Sequence, residues 1–144
     1  MTYLDPKVWG KHYWFFLDTV AMTYPNHPND TIKKKYYDFI MNLPLFIPIS
    51  SISSDFEKLL NLYPVSPYLD NKESLIRWMW FIHNKINEKL EKDKIPLEKF
   101  YENYYQSYKS TGEKWVEHKK WKSRLIYLTF IILSVGIIYY FYNQ

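Results

Sequence analysis

The fold of this chain is decided by the stretch WMWFIHNKIN, residues 78–87. Residues at positions i, i+3, i+4 and i+7 lie on one side of a helix, and those positions hold Trp80, His83, Asn84 and Asn87. The two rings would present flat faces, and the two amides would present hydrogen-bond donors and acceptors. Two interpretations of this face stay open: a site for a planar, hydrogen-bonding ligand, or a buried polar cluster satisfied by neighbouring helices.

Helical signals continue toward the N-terminus. Asp5 is a favourable N-cap and Pro6 a favourable first residue, so they predict a first helix that Pro25 ends. Asp30 or Thr31 is predicted to cap a second helix that runs to about residue 42. Residues 44–48, which begin and end with proline, are predicted to form a short extended crossing.

The C-terminal side carries the same kind of signal. Ser54 and Glu57 have the spacing of a capping box, which predicts a third helix to about residue 63. The same pattern at residues 70–73 predicts a long helix that reaches about Lys92, and Pro96 is predicted to precede a fifth helix over residues 97–108 or beyond. No stretch alternates strictly between apolar and polar residues. The predicted fold class is therefore all-α: a bundle of four or five helices plus a C-terminal transmembrane helix.

The charge of the chain is concentrated in one segment. Residues 1–108 carry 13 Lys/Arg and 13 Asp/Glu, whereas residues 109–124 carry six Lys/Arg and two Asp/Glu. The whole net charge of +4 therefore comes from residues 109–124, which are predicted to be a basic linker after a domain of residues 1–108. A nucleic-acid interface would also use basic residues, but the position of the segment favours contact with anionic lipids, and no nucleic-acid partner is predicted.

Residues 125–142 follow this linker without a single charged side chain. A helix of about 20 residues crosses a bilayer, and about 17 residues are still adequate. The alternative is a buried core helix, although core helices rarely lack every charge over this length. The segment is predicted to be a single-pass tail anchor, with the basic side and the N-terminal domain in the cytosol.

The chain lacks the residues of several common catalytic sites. It has no cysteine, so it offers no thiolate nucleophile, zinc finger or disulfide. Its four histidines have no second histidine or carboxylate at metal-ligand spacing, and its three glycines form no phosphate-binding loop. From the residues alone, no catalytic residue and no metal site are predicted.

Two separated motifs resemble the Erv/ALR family of FAD-linked sulfhydryl oxidases. HNKIN at residues 83–87 is similar to the HNxxN helix of that family, and GKHYWFFLDTVAMTYP at residues 10–25 is similar to its first-helix pattern G-R-x-x-W-x-x-L-H-x-x-A-x-x-Y-P. The resemblance covers roughly residues 7–108 and implies a helical FAD-binding bundle. It places the cofactor against Gly10, Lys11, Trp14, Asp18, Trp80, His83, Asn84, Asn87 and Lys92, with Lys89 as a second basic candidate.

Three departures from the family pattern limit what the resemblance implies. Ile49 and Ile52 stand where the family has its redox-active Cys-x-x-Cys pair. Asp18 stands where the family has a histidine that lines the cofactor, and residues 90–96 depart from the L-G-K-P-x-F pattern. The first departure removes the usual reaction, in which a proximal disulfide carries electrons from a thiol substrate to the flavin.

The leading hypothesis is a membrane-anchored FAD-binding homologue that does not oxidise thiols by itself. The resemblance also implies a homodimer, or a heterodimer with an active relative, and a viral source whose product lies in the virion or the host ER membrane. The alternative is a membrane-tethered interaction module that has kept the fold and lost the flavin. Its partner surface would be the aromatic stripe of the fifth helix: Phe100, Tyr101, Tyr104, Tyr105 and Tyr108. A flavin reaction that uses no cysteine ranks last.

Overall fold

A computed structural model describes residues 4–143, which contain helices and no strand. The predicted all-α fold is confirmed. The chain divides into a bundle that extends to Tyr104 and a second unit that begins at Tyr105. In chain order the elements are α1 Pro6–Met22, α2 Asp30–Asn42, a 3-10 helix Leu43–Phe46, α3 Ser50–Leu62, a 3-10 helix Ser66–Tyr68, α4 Lys72–Lys89, α5 Leu97–Gln106 and α6 Thr111–Tyr142.

Helix α1 begins as the sequence predicts. The Asp5 carboxylate accepts a hydrogen bond from the Lys7 amide at 2.8 Å, and Pro6 is the first helical residue. The buried side of α1 consists of Leu17, Asp18 and Ala21. A carboxylate therefore enters the core together with two apolar side chains.

Two predicted caps lie one residue away from the observed ones. Asn29, not Asp30 or Thr31, caps α2 by accepting from the Ile32 amide at 2.9 Å. Helix α4 is likewise capped by Asn71, which accepts from the Ser74 amide at 2.9 Å. Each cap accepts from the amide three residues later, whereas Asp30 lies inside α2 and Asp70 lies one residue before the cap of α4.

The start of α3 was predicted wrongly. The helix begins at Ser50, so Ser54 lies inside it and forms no capping box. Ile49 precedes the helix in an extended conformation, and the Ser53 hydroxyl donates to the Pro44 carbonyl at 2.5 Å. The predicted extended crossing is also wrong, because residues 43–46 form a 3-10 helix and Ile47 alone is seen as its extended C-cap.

Helix α4 ends at Lys89, three residues before the predicted end, in a Schellman motif. The Lys92 amide donates to the Asn87 carbonyl at 2.9 Å, and the Glu91 amide donates to the Glu88 carbonyl at 3.1 Å. Glu91 occupies the left-handed region with a φ of 55°, where glycine is the usual residue. The helix stops here although no glycine marks the position.

The core of the bundle lies between α1, α2, α3 and α4, with Phe100 of α5 packed against it. Two long side chains connect distant segments through hydrogen bonds. The Tyr24 hydroxyl donates to the Leu69 carbonyl at 2.8 Å, and the Trp78 indole donates to the Tyr63 carbonyl at 3.0 Å. The largest fully buried side chains are Tyr24, Ile40, Leu60, Val65, Leu75, Met79 and Ile82.

The second unit contains one long helix. Ser110 and Glu113 form a reciprocal capping box at its start, and α6 then continues without a break to Tyr142. The predicted basic linker is therefore helical from Thr111 onward. Residues 118–140 are long and apolar enough to cross a membrane, with a mean hydropathy of 1.7 in the most apolar window, which is not buried.

Candidate cofactor site

The centre of the candidate site is a stack of two rings from different helices. The Trp14 indole of α1 and the His83 imidazole of α4 are nearly parallel, at 3° between planes, with centroids 3.9 Å apart. The edge of the Phe100 ring from α5 contacts the same imidazole, with centroids 6.3 Å apart. The structure thus brings together Trp14 and His83, which are 69 positions apart and were predicted to share one site.

Asp18 lies one helical turn after Trp14 and is 8% exposed. Its Oδ1 atom is buried and accepts no hydrogen bond within residues 4–143. Burial removes water from the carboxylate and raises the pKa of Asp18 from 3.8 to about 7. Near neutral pH the side chain is therefore divided between an ionised and a neutral form.

His83 carries the second buried polar atom that has no partner among the described residues, its Nδ1. Burial and, to a smaller extent, the positive charge of Lys92 lower the pKa of His83 from 6.5 to about 4. The imidazole is therefore neutral at physiological pH. The Lys92 side chain itself is exposed.

Two of the predicted site residues form hydrogen bonds with the backbone of one loop residue, Ile95. Asn84 donates to the Ile95 carbonyl at 2.9 Å and accepts from the Ile95 amide at 2.8 Å. The Trp80 indole donates to the same carbonyl at 2.6 Å. The polar groups of Trp80 and Asn84 thus hold the loop before α5.

The remaining predicted residues occupy three different environments. Asn87 is buried, and its backbone carbonyl closes the Schellman motif at the end of α4. Gly10 is half-buried on α1 and Lys11 is exposed beside it. A Cβ atom added at Gly10 would meet nothing within 4 Å, so packing does not require glycine at this position.

A groove of about 330 Å³ lies between α4 and the loop before α5. Its charged groups are paired, because Glu88 lies 3.0 Å from Lys85 and 3.5 Å from Lys94. The Lys85 ammonium also lies 5.7 Å from the centre of the Phe81 ring. The residues around the groove are Trp80, Phe81, Asn84, Lys85, Glu88, Lys94, Ile95 and Pro96.

Sequence reasoning missed Ile95 and Thr19. The Thr19 hydroxyl, next to Asp18, accepts a hydrogen bond from the Tyr104 hydroxyl at 3.2 Å. No sequence signal identifies Ile95, because its role lies in its backbone groups.

The predicted aromatic surface of α5 is divided, since Phe100 and Tyr104 are buried while Tyr105 is exposed.

The comparisons with known proteins agree with this architecture. Residues 11–106 match the Erv1 / Alr family, which is more than half of the chain. The chain belongs to the Erv1 / Alr family. The resemblance inferred from residues 10–25 and 83–87 is therefore confirmed.

Similar proteins of this family come from viruses and from fungi. A probable FAD-linked sulfhydryl oxidase, R368, of Acanthamoeba polyphaga mimivirus is 32% identical over 85 residues, which are 58% of this chain and 59% of that protein. The mitochondrial FAD-linked sulfhydryl oxidase ERV1 of Saccharomyces cerevisiae is 34% identical over 91 residues, 63% of this chain and 47% of that protein. The chain spans about half the length of these relatives.

The solved structure of the FAD binding domain of Erv1 from Saccharomyces cerevisiae has the same fold. It superposes with a TM-score of 0.65 at 30% identity and covers 71% of this chain and 95% of the yeast domain. The similarity lies in the helical bundle of the family.

Proposed function

We propose that this chain is an FAD-binding member of the Erv1 / Alr family that does not oxidise thiols by itself. The observation that carries the proposal is the pairing of Trp14 with His83 beside two buried polar atoms that have no hydrogen-bond partner within residues 4–143, in a chain without cysteine. The relatives named as FAD-linked sulfhydryl oxidases, and the likeness to an FAD-binding domain, support the cofactor.

The residues of this site fit a flavin dinucleotide. Buried polar atoms are almost always hydrogen-bonded in folded proteins, and FAD offers donors and acceptors that would satisfy Asp18 Oδ1 and His83 Nδ1. The Trp14–His83 stack presents ring surfaces to a planar group, and the positive charge of Lys92 would favour the anionic pyrophosphate. When bound, FAD supplies two-electron redox chemistry, while these residues bind and orient it.

Thiol oxidation requires a group that this chain does not contain. The family resemblance places the redox pair at Ile49 and Ile52, at the start of α3, where both side chains are partly buried. A branched hydrocarbon side chain can neither attack a disulfide nor form one, since the thiolate is the reacting species. We therefore expect bound FAD to receive no electrons from thiol substrates in the isolated protein.

The long helix α6 supports a membrane location. Its uncharged half would span the bilayer, and its basic half would remain on the cytosolic side together with residues 1–108. A virion membrane or the host ER membrane remains our proposal for the compartment. A homodimer, or a heterodimer with an active relative, also remains a prediction.

One observation favours the second candidate function, a membrane-tethered interaction module without flavin. The Trp14 and His83 rings are in direct contact at 3.9 Å, so no third ring fits between them. The amide of Asn84 is also engaged with Ile95. Groups that would otherwise contact a cofactor are thus partly used within the protein.

The test uses the full chain purified in detergent after expression with excess riboflavin. The proposal predicts visible flavin absorbance near one FAD per chain and no peroxide production above background when dithiothreitol is added. His83→Ala should lose the flavin, whereas His27→Ala, at an exposed position in a loop, should keep it. A colourless, helical protein would favour the interaction module. Thiol-dependent peroxide production would contradict the proposal that the chain does not oxidise thiols by itself.

A second variant tests whether the missing pair is what prevents the reaction. Ile49→Cys combined with Ile52→Cys should confer dithiothreitol-dependent flavin reduction on the flavin-loaded chain. Ile49→Ser combined with Ile52→Ser changes the same positions without adding a thiol and should remain inactive. If the two double variants behave alike, some other feature of the chain also prevents thiol oxidation.

A further inference from the structure

Asp18 is a buried acid on helix α1 of the bundle. The side chain is 8% exposed, and its Oδ1 atom has no hydrogen bond within the described part of the chain. Leaving a buried polar atom unsatisfied costs about 1–3 kcal/mol, and more for a charged group. Such an atom is therefore expected to serve a partner that is not part of the protein chain.

The residues next to Asp18 on α1 connect it to the candidate cofactor site. Trp14, one turn earlier on α1, stacks on His83 of α4. Thr19, the next residue on α1, is held by the Tyr104 hydroxyl of α5. His83 and Tyr104 are thus the titratable groups whose contacts with Trp14 and Thr19 bring them to this face of α1. The positive charge of Lys92 acts on His83.

We propose that Asp18 is a binding residue for FAD and that it enters the complex as a neutral acid, donating its proton in a hydrogen bond to the cofactor. This inference rests on the proposed function. A neutral carboxyl offers a donor, whereas an ionised one only accepts. The pyrophosphate of FAD is anionic, so an ionised carboxylate buried in the same site would be repelled by it and would lack water to screen it.

The protonation state of the free protein supports this assignment. Burial raises the pKa of Asp18 to about 7, which leaves a large neutral fraction at physiological pH. The pKa of His83 is lowered to about 4, so the imidazole stays neutral over the same range and cannot provide a compensating positive charge. FAD binding should therefore draw one proton onto Asp18 at alkaline pH.

The experiment measures FAD affinity of the flavin-free full chain in detergent between pH 6 and 8.5, from the quenching of flavin fluorescence. One proton linked to a group of pKa about 7 predicts roughly 30-fold weaker binding at pH 8.5 than at pH 6. Asp18→Asn keeps the size and a donor but cannot ionise, so its affinity should change less than about twofold over this range. Asp38→Asn, at an exposed carboxylate paired with Lys34, should keep the wild-type dependence.

A measurement on the wild-type chain tests the same proposal without relying on the correct folding of Asp18→Asn. Calorimetry at pH 8 in buffers of different ionisation enthalpy should report the uptake of close to one proton per FAD bound. Binding without proton uptake, or with proton release, would overturn the role of Asp18 and leave the FAD site intact. Failure to bind FAD at any pH would overturn the proposed function and this inference together.

Discussion

At the scale of single residues, Asp18 and His83 should make the stability of the flavin-free protein depend on pH in opposite directions. The native pKa of Asp18 is about 7 against an ordinary value of 3.8, so the native state binds the extra proton between these values. Stability is therefore lost as pH rises from about 4 to about 7. Three pKa units set an upper limit of about 4 kcal/mol on this loss.

For His83 the sign is reversed. Its native pKa of about 4 lies below 6.5, so the unfolded state binds the extra proton and stability is lost as pH falls through this interval.

Chemical unfolding of the full chain in detergent should show Asp18→Asn more stable than wild type at pH 8 and nearly equal at pH 4. Parallel pH curves for the two proteins would show that Asp18 is not neutral when buried.

Glu91 is a second residue whose local conformation makes a definite prediction. Its φ of 55° places a side-chain-bearing residue in the left-handed region, which costs about 1–2 kcal/mol relative to glycine. Because Glu91 is exposed and its amide is needed in the Schellman motif, Glu91→Gly should raise the free energy of unfolding by about 1 kcal/mol. Glu91→Ala keeps the strain and should change stability little, so equal effects of the two variants would argue against a left-handed conformation.

At the scale of elements, the contact between α4 and the loop before α5 is concentrated in Asn84. Its amide makes two hydrogen bonds to the backbone of Ile95, at 2.9 and 2.8 Å. Asn84→Leu would leave the half-buried Ile95 amide without its acceptor, at a cost of about 1–3 kcal/mol. Hydrogen exchange at Ile95 should then accelerate at least tenfold. Trp80→Phe removes only a second donor to the carbonyl and should leave that amide protected.

How much of this arrangement the sequence predicts depends on the range of the interactions involved. Helix starts with a local cap were predicted to the residue for α1, where Asp5 precedes Pro6, and to within one residue for α2 and α4, because a side chain and a nearby amide suffice. The start of α3 was missed because the Ser53–Pro44 hydrogen bond connects residues nine positions apart. The partnership of Asn84 with Ile95 could not be predicted, since any residue with a free backbone amide and carbonyl would serve.

In the candidate site, too, the sequence predicts the local arrangement but not the long-range contacts. The i, i+3, i+4, i+7 spacing correctly places Trp80, His83, Asn84 and Asn87 on one helix, but spacing alone does not say which polar groups are already used. Asn84 is satisfied by the protein, as the interpretation as a buried polar cluster expects. His83 Nδ1 has no partner among the described residues, and the interpretation as a ligand site stays a prediction. Whether a polar group on this face is already hydrogen-bonded depends on how the three helices pack, which the spacing of residues does not show.

At the scale of the whole molecule, the distribution of charge along the chain determines what α6 can do. Residues 1–108 are neutral overall, and residues 109–124 supply the net charge of +4 directly before an uncharged run. A basic segment next to an apolar span gains about 1 kcal/mol per Lys or Arg near an anionic surface. The same helix therefore combines an apolar segment with a basic segment that precedes it.

The uncharged half of α6 should anchor the full chain in membranes so firmly that alkaline carbonate does not extract it. Ile132→Lys combined with Leu133→Lys places two charges at the centre of the span, each costing about 2.5–3.5 kcal/mol on insertion scales. Fractionation of cells that express this variant should find it in the soluble or the carbonate-extracted fraction. His118→Lys combined with Ser123→Lys adds two lysines outside residues 125–142 and should remain in the membrane pellet. If all three proteins fractionate alike, residues 125–142 do not span the bilayer, because only a span in hydrocarbon distinguishes these two placements of the same residue.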